Sequence, residues 1–325
     1  MAKFWLVIFA SFAAISIASG ADYNYIKGSA IGPENWGGVC QSGQKQSPID
    51  IDTSTAKYDS ALGDIYVSNY DTIPSENFTI ANTNHSLKVS FPPNIFYVSG
   101  GGLPGTFTTV QFHLHWGSDN NKGAEHTVNE MQYPAEIHFV SVNVKYPDIT
   151  LALPESDGLA VLGVFLEVGA DNSAYEDLLG DISDLNAGGT KKKIAPFMLK
   201  PLLAANMKDY YRYPGSLTTP PCSEAVTWTV FNDTVKIPQR LLTNLRALKM
   251  GDNSPMVNNY RPVQPLHDRT VKSSFMHTRI VTDDESTVKP SSTSTKAKDT
   301  VDDGIAVKVS NVVLMLMLFG VLFLM

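Results

Sequence analysis

Two stretches decide the fold of this chain: residues 106–116, TFTTVQFHLHW, and residues 135–145, AEIHFVSVNVK. Both are rich in β-branched and aromatic residues, which predicts two β-strands. Side chains on a strand point alternately to its two faces, so His113 and His115 share a face. If the strands pair, His138 of the second stretch brings a third imidazole to the same point.

Three convergent imidazoles predict a metal site. Three neutral nitrogen ligands with a fourth position open are typical of catalytic zinc. A His-x-His pair alone is often structural, but a third histidine beside the same-face carboxylate of Glu136 favours the metal. Gln111 and Glu136 each lie two residues before one of the histidines, on its face. We expect each to accept a hydrogen bond from the outer ring nitrogen of that histidine. The predicted cofactor is therefore Zn²⁺.

The rest of the body predicts a mainly β (α+β) fold. Strand-like segments separated by glycine and proline lie at residues 87–91, 106–116, 135–145, 159–168 and 225–231. Helical patterns are short, the best being residues 175–185 and 238–248. We expect a single domain with a central, mostly antiparallel sheet and small peripheral helices.

Both ends of the chain resemble processing signals. Residues 1–20 have one positive charge, an apolar run and a small-residue cleavage site, which predicts a secretory signal peptide; a core helix is the alternative. Residues 21–282 form the predicted domain, and residues 283–304 a disordered Ser/Thr-rich stalk. Residues 305–325 read as the hydrophobic signal for a GPI lipid anchor, with a short membrane span as the alternative. The predicted location is the outer face of the plasma membrane.

The net charge, the cysteines and the glycosylation motifs limit the kinds of partner and the cellular compartment that fit this chain. The net charge of −7 and the lack of a basic cluster argue against nucleic acid. In a secreted chain the only two cysteines, Cys40 and Cys222, predict a disulfide, and two buried free thiols are the alternative. Glycosylation sequons begin at Asn77, Asn84 and Asn232.

Specific motifs follow one another in order along the predicted domain. They are GPENWG at 32–37, QSPIDI at 46–51, QFHLHWG at 111–117, EHTV at 125–128, AEIHFV at 135–140, GLAVLG at 158–163, YPGSLTTPPC at 213–222 and NYRPVQPL at 259–266. In this order they resemble the α-class carbonic anhydrases, in particular secreted or GPI-anchored members. The resemblance implies a twisted sheet of about ten strands, zinc at the base of a cleft, and reversible hydration of CO2 to bicarbonate and a proton.

The resemblance also assigns roles to individual residues. The zinc ligands are His113, His115 and His138. The groups that hold these ligands are Gln111, Glu136 and the backbone carbonyl of Asn259. Thr218 accepts a hydrogen bond from the reacting water, because its own hydroxyl proton is donated to Glu125.

Further roles concern the substrate and the proton. The CO2 pocket is lined by Val140, Val161, Leu217, Thr218, Thr219 and Trp228, with Val226 nearby. His85 matches the residue that passes protons to buffer, although it lies inside the Asn84 sequon. Tyr25 is a candidate cleft residue, and His126 a structural one. Cys40 and Cys222 occupy the positions of the disulfide in extracellular members.

A different class of function remains as an alternative. The family includes acatalytic extracellular domains that have lost a zinc ligand and act as binding modules. All three ligand histidines, Thr218 and Glu125 are present here, which favours the enzyme.

Overall fold

The structure is a computed structural model that describes residues 22–277. The predictions for residues 1–20, 283–304 and 305–325 lie outside the described residues. No helix within the described part of the chain is long and apolar enough to cross a membrane.

Short helices surround a set of β-strands in the described residues. The strands are β1 Asp50–Ile51, β2 Lys57–Tyr58, β3 Ile65–Ser68, β4 Phe78–Asn82, β5 Leu87–Ser90, β6 Phe96–Gly100, β7 Phe107–Trp116, β8 Thr127–Val128, β9 Met131–Gln132, β10 Ala135–Asn143, β11 Leu159–Val168, β12 Lys191–Ile194, β13 Tyr210–Gly215, β14 Val226–Phe231, β15 Val235–Ile237 and β16 Lys272–Ser273. The α-helices are α1 Val39–Ser42, α2 Ile149–Ala152, α3 Ser173–Leu179 and α4 Gln239–Ala247. Single 3₁₀ turns lie at Pro33–Asn35, Ser183–Leu185 and Lys200–Leu202.

One large sheet dominates this single domain. It has 13 strands, and its main path runs β12-β4-β5-β7-β10-β11-β14-β13-β16-β2. Most neighbours are antiparallel, whereas β11 pairs in parallel with β14 and β15, and β16 with β2. The predicted mainly β, mostly antiparallel architecture is confirmed. The sheet has more strands than expected because β3, β6 and β15 add to it beside the main path.

The predicted elements differ from the observed ones mainly at their ends. Strand β11 coincides with the prediction, whereas β10 ends at Asn143, where the chain turns and the amide of Tyr146 donates to the Asn143 carbonyl. The helix predicted at residues 175–185 is wrong in its extent. Helix α3 is capped at Gly180, and a separate 3₁₀ turn follows.

Pairing of β7 with β10 sets the geometry of the cleft. His113 lies directly opposite His138, and His115 directly opposite Glu136. On the other face of the two strands, Phe112 lies opposite Phe139 in the larger hydrophobic core. A second core lies on the histidine face of the sheet, where β10, β11 and β14 continue beyond the three imidazoles.

Candidate metal centre

The three predicted ligands come together in the structure. The ring centroids of His113 and His115 are 5.0 Å apart, and those of His115 and His138 are 4.7 Å apart. One nitrogen from each ring lies within 4.8 Å of the other two. His115 and His138 are buried and His113 partly so, and His113 and His115 line a cavity of about 260 Å³.

Each ring is held through its outer nitrogen. The Nδ1–H of His113 donates to Gln111 Oε1 at 2.9 Å, and the Nδ1–H of His115 donates to the Asn259 carbonyl at 2.7 Å. The Nε2–H of His138 donates to Glu136 Oε1 at 2.7 Å. All three partners can only accept through these oxygens, so the proton of each ring lies on its outer nitrogen. The inner nitrogens, two Nε2 and one Nδ1, are free to bind a metal ion.

Electrostatics keep the ligands in the form that binds metal. Burial, together with the two neighbouring imidazoles, lowers the pKa of His113 well below its ordinary value. Burial also lowers the pKa of His115. Neutral imidazole is the metal-binding form of histidine, so this part of the site is ready for a cation at neutral pH.

The residues present fit zinc. Within residues 22–277, the inner His115 Nε2 and Glu125 Oε2 are both buried without a hydrogen-bond partner, and they lie 3.4 Å apart. A buried nitrogen acceptor without a donor is costly unless a cation binds it. Three neutral imidazoles supply such an acceptor set, and they match the ligands of catalytic zinc.

Comparison with known proteins agrees with this geometry. The family model of eukaryotic-type carbonic anhydrases matches residues 31–275. The chain belongs to this family. It is 36% identical over 278 residues to human carbonic anhydrase 12, a match covering 82% of this chain and 78% of that protein. It is 38% identical over 264 residues to carbonic anhydrase 1 of Mus musculus, covering 78% of this chain and 99% of that protein.

Thr218 and Glu125 both lie in the interior of this carbonic anhydrase. Thr218 is 5% exposed, and Glu125 is 1% exposed. Glu125 Oε1 accepts the backbone N–H of Arg261 at 2.8 Å. The expected Thr218–Glu125 hydrogen bond is not formed among the described residues, because Glu125 Oε2 faces His115 and has no partner. Their pairing therefore stays a prediction.

Glu136 holds more of the site than the sequence indicates. Its Oε1 also accepts from His126 Nδ1 at 2.7 Å, and its Oε2 accepts the amides of residues 125 and 126, each at 2.9 Å. Burial opposes ionisation, but the two histidines and their hydrogen bonds hold the pKa of Glu136 well below its ordinary value. His126 Nε2 lies 2.6 Å from the Tyr213 hydroxyl, which donates to Ser47 Oγ. His126 thus fixes the carboxylate that orients His138.

Arg261 joins the disulfide to this region, and sequence reasoning missed it. Cys40 and Cys222 are bonded, as predicted. Closing a loop across 182 residues is worth about 5 kcal/mol in the chain-entropy model. The Arg261 guanidinium donates to the Cys40 carbonyl and to Gln46, while its backbone N–H holds Glu125. Its place two residues after Asn259 was the available signal, but burial of an arginine depends on remote carbonyls that local sequence does not reveal.

The predicted CO2 wall is one apolar surface in the structure. Val140 lies opposite Val161, and Val161 opposite Trp228, on neighbouring strands β10, β11 and β14. All three are at most 4% exposed, and the partly buried Leu217 packs against the same cluster. Val140 shares the face of His138, two residues earlier, so the wall begins beside the metal ligands. Val226 belongs to the same cluster.

His85 borders the cavity and stacks on a tyrosine. Its ring lies 4.0 Å from that of Tyr23, at an interplanar angle of 15°. Burial lowers the pKa of His85, with Asp22 opposing the effect. Tyr25 and Thr219 line the same cavity. The sequence motif gave no role to Tyr23, whose contact with His85 depends on the path of the N-terminal segment.

The three sequons differ in their surroundings. Asn77 and Asn232 are exposed, whereas Asn84 is partly buried. The Asn84 side-chain oxygen is buried without a hydrogen-bond partner within residues 22–277 and lies against Gly188 and Gly251.

Proposed function

We propose that this carbonic anhydrase carries out the reversible hydration of CO2 at the outer face of the plasma membrane. Convergence of His113, His115 and His138, two of which line a cavity, is the observation that carries the proposal. When bound there, zinc supplies a water acidified to a pKa of about 7, for which carbonic anhydrase is itself the reference case.

The residues around the ligands bind CO2 and orient the reacting water. Val140, Val161 and Trp228 offer neutral CO2 a dry surface beside the ligands, since a nonpolar linear molecule needs dispersion contacts and no hydrogen bonds. Thr218 accepts a hydrogen bond from the reacting water and so orients the oxygen lone pair toward CO2, provided that its own hydroxyl donates to Glu125.

Proton removal completes the cycle, and we assign it to His85. Its lowered pKa keeps the imidazole neutral at pH 7, so it can accept a proton from the site. Its position at the cavity border lets it pass that proton to buffer. A glycan on Asn84 would sit beside this route. We therefore expect glycans mainly on the exposed Asn77 and Asn232.

Several features support the extracellular location. The Cys40–Cys222 disulfide suits an oxidising compartment. Residues 1–20 and 305–325 have the composition of a signal peptide and of a lipid-anchor signal. We propose a GPI-type anchor, with a short membrane span or a secreted form as alternative outcomes.

Stopped-flow CO2 hydration with zinc analysis tests the activity. We expect full-length protein to bind one zinc, and His115→Ala to lose zinc and at least about 100-fold of the activity. The matched control is His267→Asn, an exposed histidine with positive φ that asparagine tolerates. Full activity of zinc-free protein, or of His115→Ala, would exclude the mechanism.

The anchor is tested separately on intact cells. A phospholipase specific for phosphatidylinositol should release a lipid-anchored enzyme into the medium. Retention after complete digestion, together with a detectable residue 305–325 peptide, would establish a membrane span instead.

A further inference from the structure

A lysine lies on the wall of the cleft beside the metal ligands. Strand β5 pairs antiparallel with β7, and Lys88 lies directly opposite His113. Leu87 and Val89 are fully buried in the larger core, so alternation places Lys88 on the opposite face, which is the face of His113. Lys88 and His113 both line the cavity of about 260 Å³. A positive charge is therefore part of the substrate chamber.

The charge of Lys88 is not neutralised by a nearby carboxylate. Within residues 22–277, lysine ion pairs are formed by Lys122, Lys145, Lys192 and Lys272, and none is formed by Lys88. The charge of Lys88 therefore faces the same cavity as His113.

We propose that Lys88 makes the cleft wall an anion-attracting surface, which holds bicarbonate and other small monovalent anions beside the metal site. The proposal rests on the proposed function, since bicarbonate is the product of that reaction. Neutral CO2 feels no net Coulomb attraction to an ammonium group, whereas bicarbonate carries a full negative charge. Lys88 therefore distinguishes the two sides of the reaction, while the apolar wall serves CO2.

The size of the effect follows from distance and screening. Residues directly opposite on paired strands have Cβ atoms about 5 Å apart, which places the ammonium roughly 8 Å from an anion at the ligands. With an effective dielectric between about 20 and 80, unit charges at that distance change a binding constant by a factor of about 2 to 30. We expect a change of about three- to tenfold, because the cleft is open to water.

The overall equilibrium constant of the reaction limits which kinetic constants can reveal an effect of Lys88. The values of kcat/KM for hydration and dehydration must change together, since their ratio is set by the overall equilibrium constant. The informative quantities are therefore the KM for bicarbonate in dehydration and the Kd of an anion that is not consumed. Thiocyanate is a suitable probe for the second.

The experiment compares single variants of the zinc-loaded full chain. Calorimetric titration with thiocyanate at constant ionic strength should give a Kd about three- to tenfold higher for Lys88→Gln than for wild type. Lys88→Arg should stay close to wild type because it keeps the charge. Lys57→Gln is the matched control, since it removes the same charge from exposed β2 at the far edge of the sheet. The KM for bicarbonate should follow the same order.

Two outcomes would overturn the proposal. One is an unchanged thiocyanate Kd in Lys88→Gln with normal zinc content and thermal stability. The other is an equal rise in Lys57→Gln, which would reduce the effect to net charge. Failure of the proposed function is distinguishable, because a protein without CO2 hydration activity would fail the stopped-flow test while the binding titration still reports on Lys88.

Discussion

The two faces of strands β7 and β10 carry opposite chemistries on the same stretch of backbone. On one face Phe112, Leu114 and Phe139 are fully buried and belong to the larger hydrophobic core. On the other face His115 and His138 are almost as buried, yet each has an outer nitrogen held by one specific acceptor. Equal burial thus has two meanings: the core face provides stability, and the cleft face provides a preorganised ligand set.

The difference lies in what each face demands of the rest of the chain. An apolar side chain is satisfied by any neighbours that fill space, so the core face tolerates many solutions. A buried imidazole needs an acceptor at hydrogen-bond distance. For His115 that acceptor is Asn259, 144 positions away in sequence. We therefore expect core-face substitutions to lower the free energy of unfolding while leaving zinc in place. Cleft-face substitutions should impair zinc binding or turnover and change the free energy of unfolding less.

The largest effect is expected on the core face, from Phe112→Ala. The ring contacts Phe139 and Phe91, with centroid distances of 5.3 and 5.8 Å, and its removal leaves a cavity. The free energy of unfolding should fall by about 3–5 kcal/mol, as measured by urea denaturation. Phe112→Leu should lose less, because it fills part of the cavity. Loss of zinc from the folded Phe112→Ala protein would show that the two faces are not separable.

The next effect belongs to the cleft. His85→Ala should reduce CO2 hydration turnover in weak buffer by about 100-fold, the lower end of what a positioned proton-transfer group contributes. Zinc content and the free energy of unfolding should stay near wild type, because the ring is only partly buried. Added imidazole should restore turnover. Unchanged turnover at low buffer would show that His85 does not carry the proton.

These two predictions depend on different amounts of sequence information. Alternation alone places Phe112 in the core and His113 in the cleft, and the strand ends were right to within two residues for β10. The motif order added the roles of Thr218, Glu125 and His85. Each of these inferences uses local spacing or a family pattern.

What local sequence did not reveal depends on contacts between distant segments. Nothing near Arg261 indicates that its guanidinium meets the carbonyl of Cys40, 221 positions away. Likewise, the stacking of Tyr23 on His85 depends on how the N-terminal segment crosses the cleft. The extra strands of the sheet are short, such as Val235–Ile237, and only their partner supplies the pairing signal.

A smaller effect is expected from Glu136→Gln, which tests the hydrogen bonding of the cleft face. The amide keeps the shape but can no longer accept charge-assisted bonds from both His126 and His138. Zinc affinity, measured by competition with a chelator, should fall about 10- to 100-fold. Glu130→Gln is the control, since it removes the same charge from an exposed position. Wild-type zinc affinity in Glu136→Gln would mean that ring orientation is set by packing alone.

The smallest effect is a shift in the titration of His85 on removing Tyr23. Burial lowers the His85 pKa, and Tyr23 covers one face of the ring, so Tyr23→Ala should raise that pKa toward about 6.5. Because the folded-state pKa of His85 is depressed, its protonation favours the unfolded state. The free energy of unfolding of the wild type therefore falls as the pH drops through the ordinary pKa of histidine. That of the Tyr23→Ala variant should fall less. NMR titration of the His85 ring measures the shift, and Tyr66→Ala, which removes an exposed tyrosine of β3, is the control. A pKa that stays put or falls would assign the burial of His85 to other neighbours. His85 would then be buried by several neighbours together, as the side chains of the core face are, and not by one specific partner.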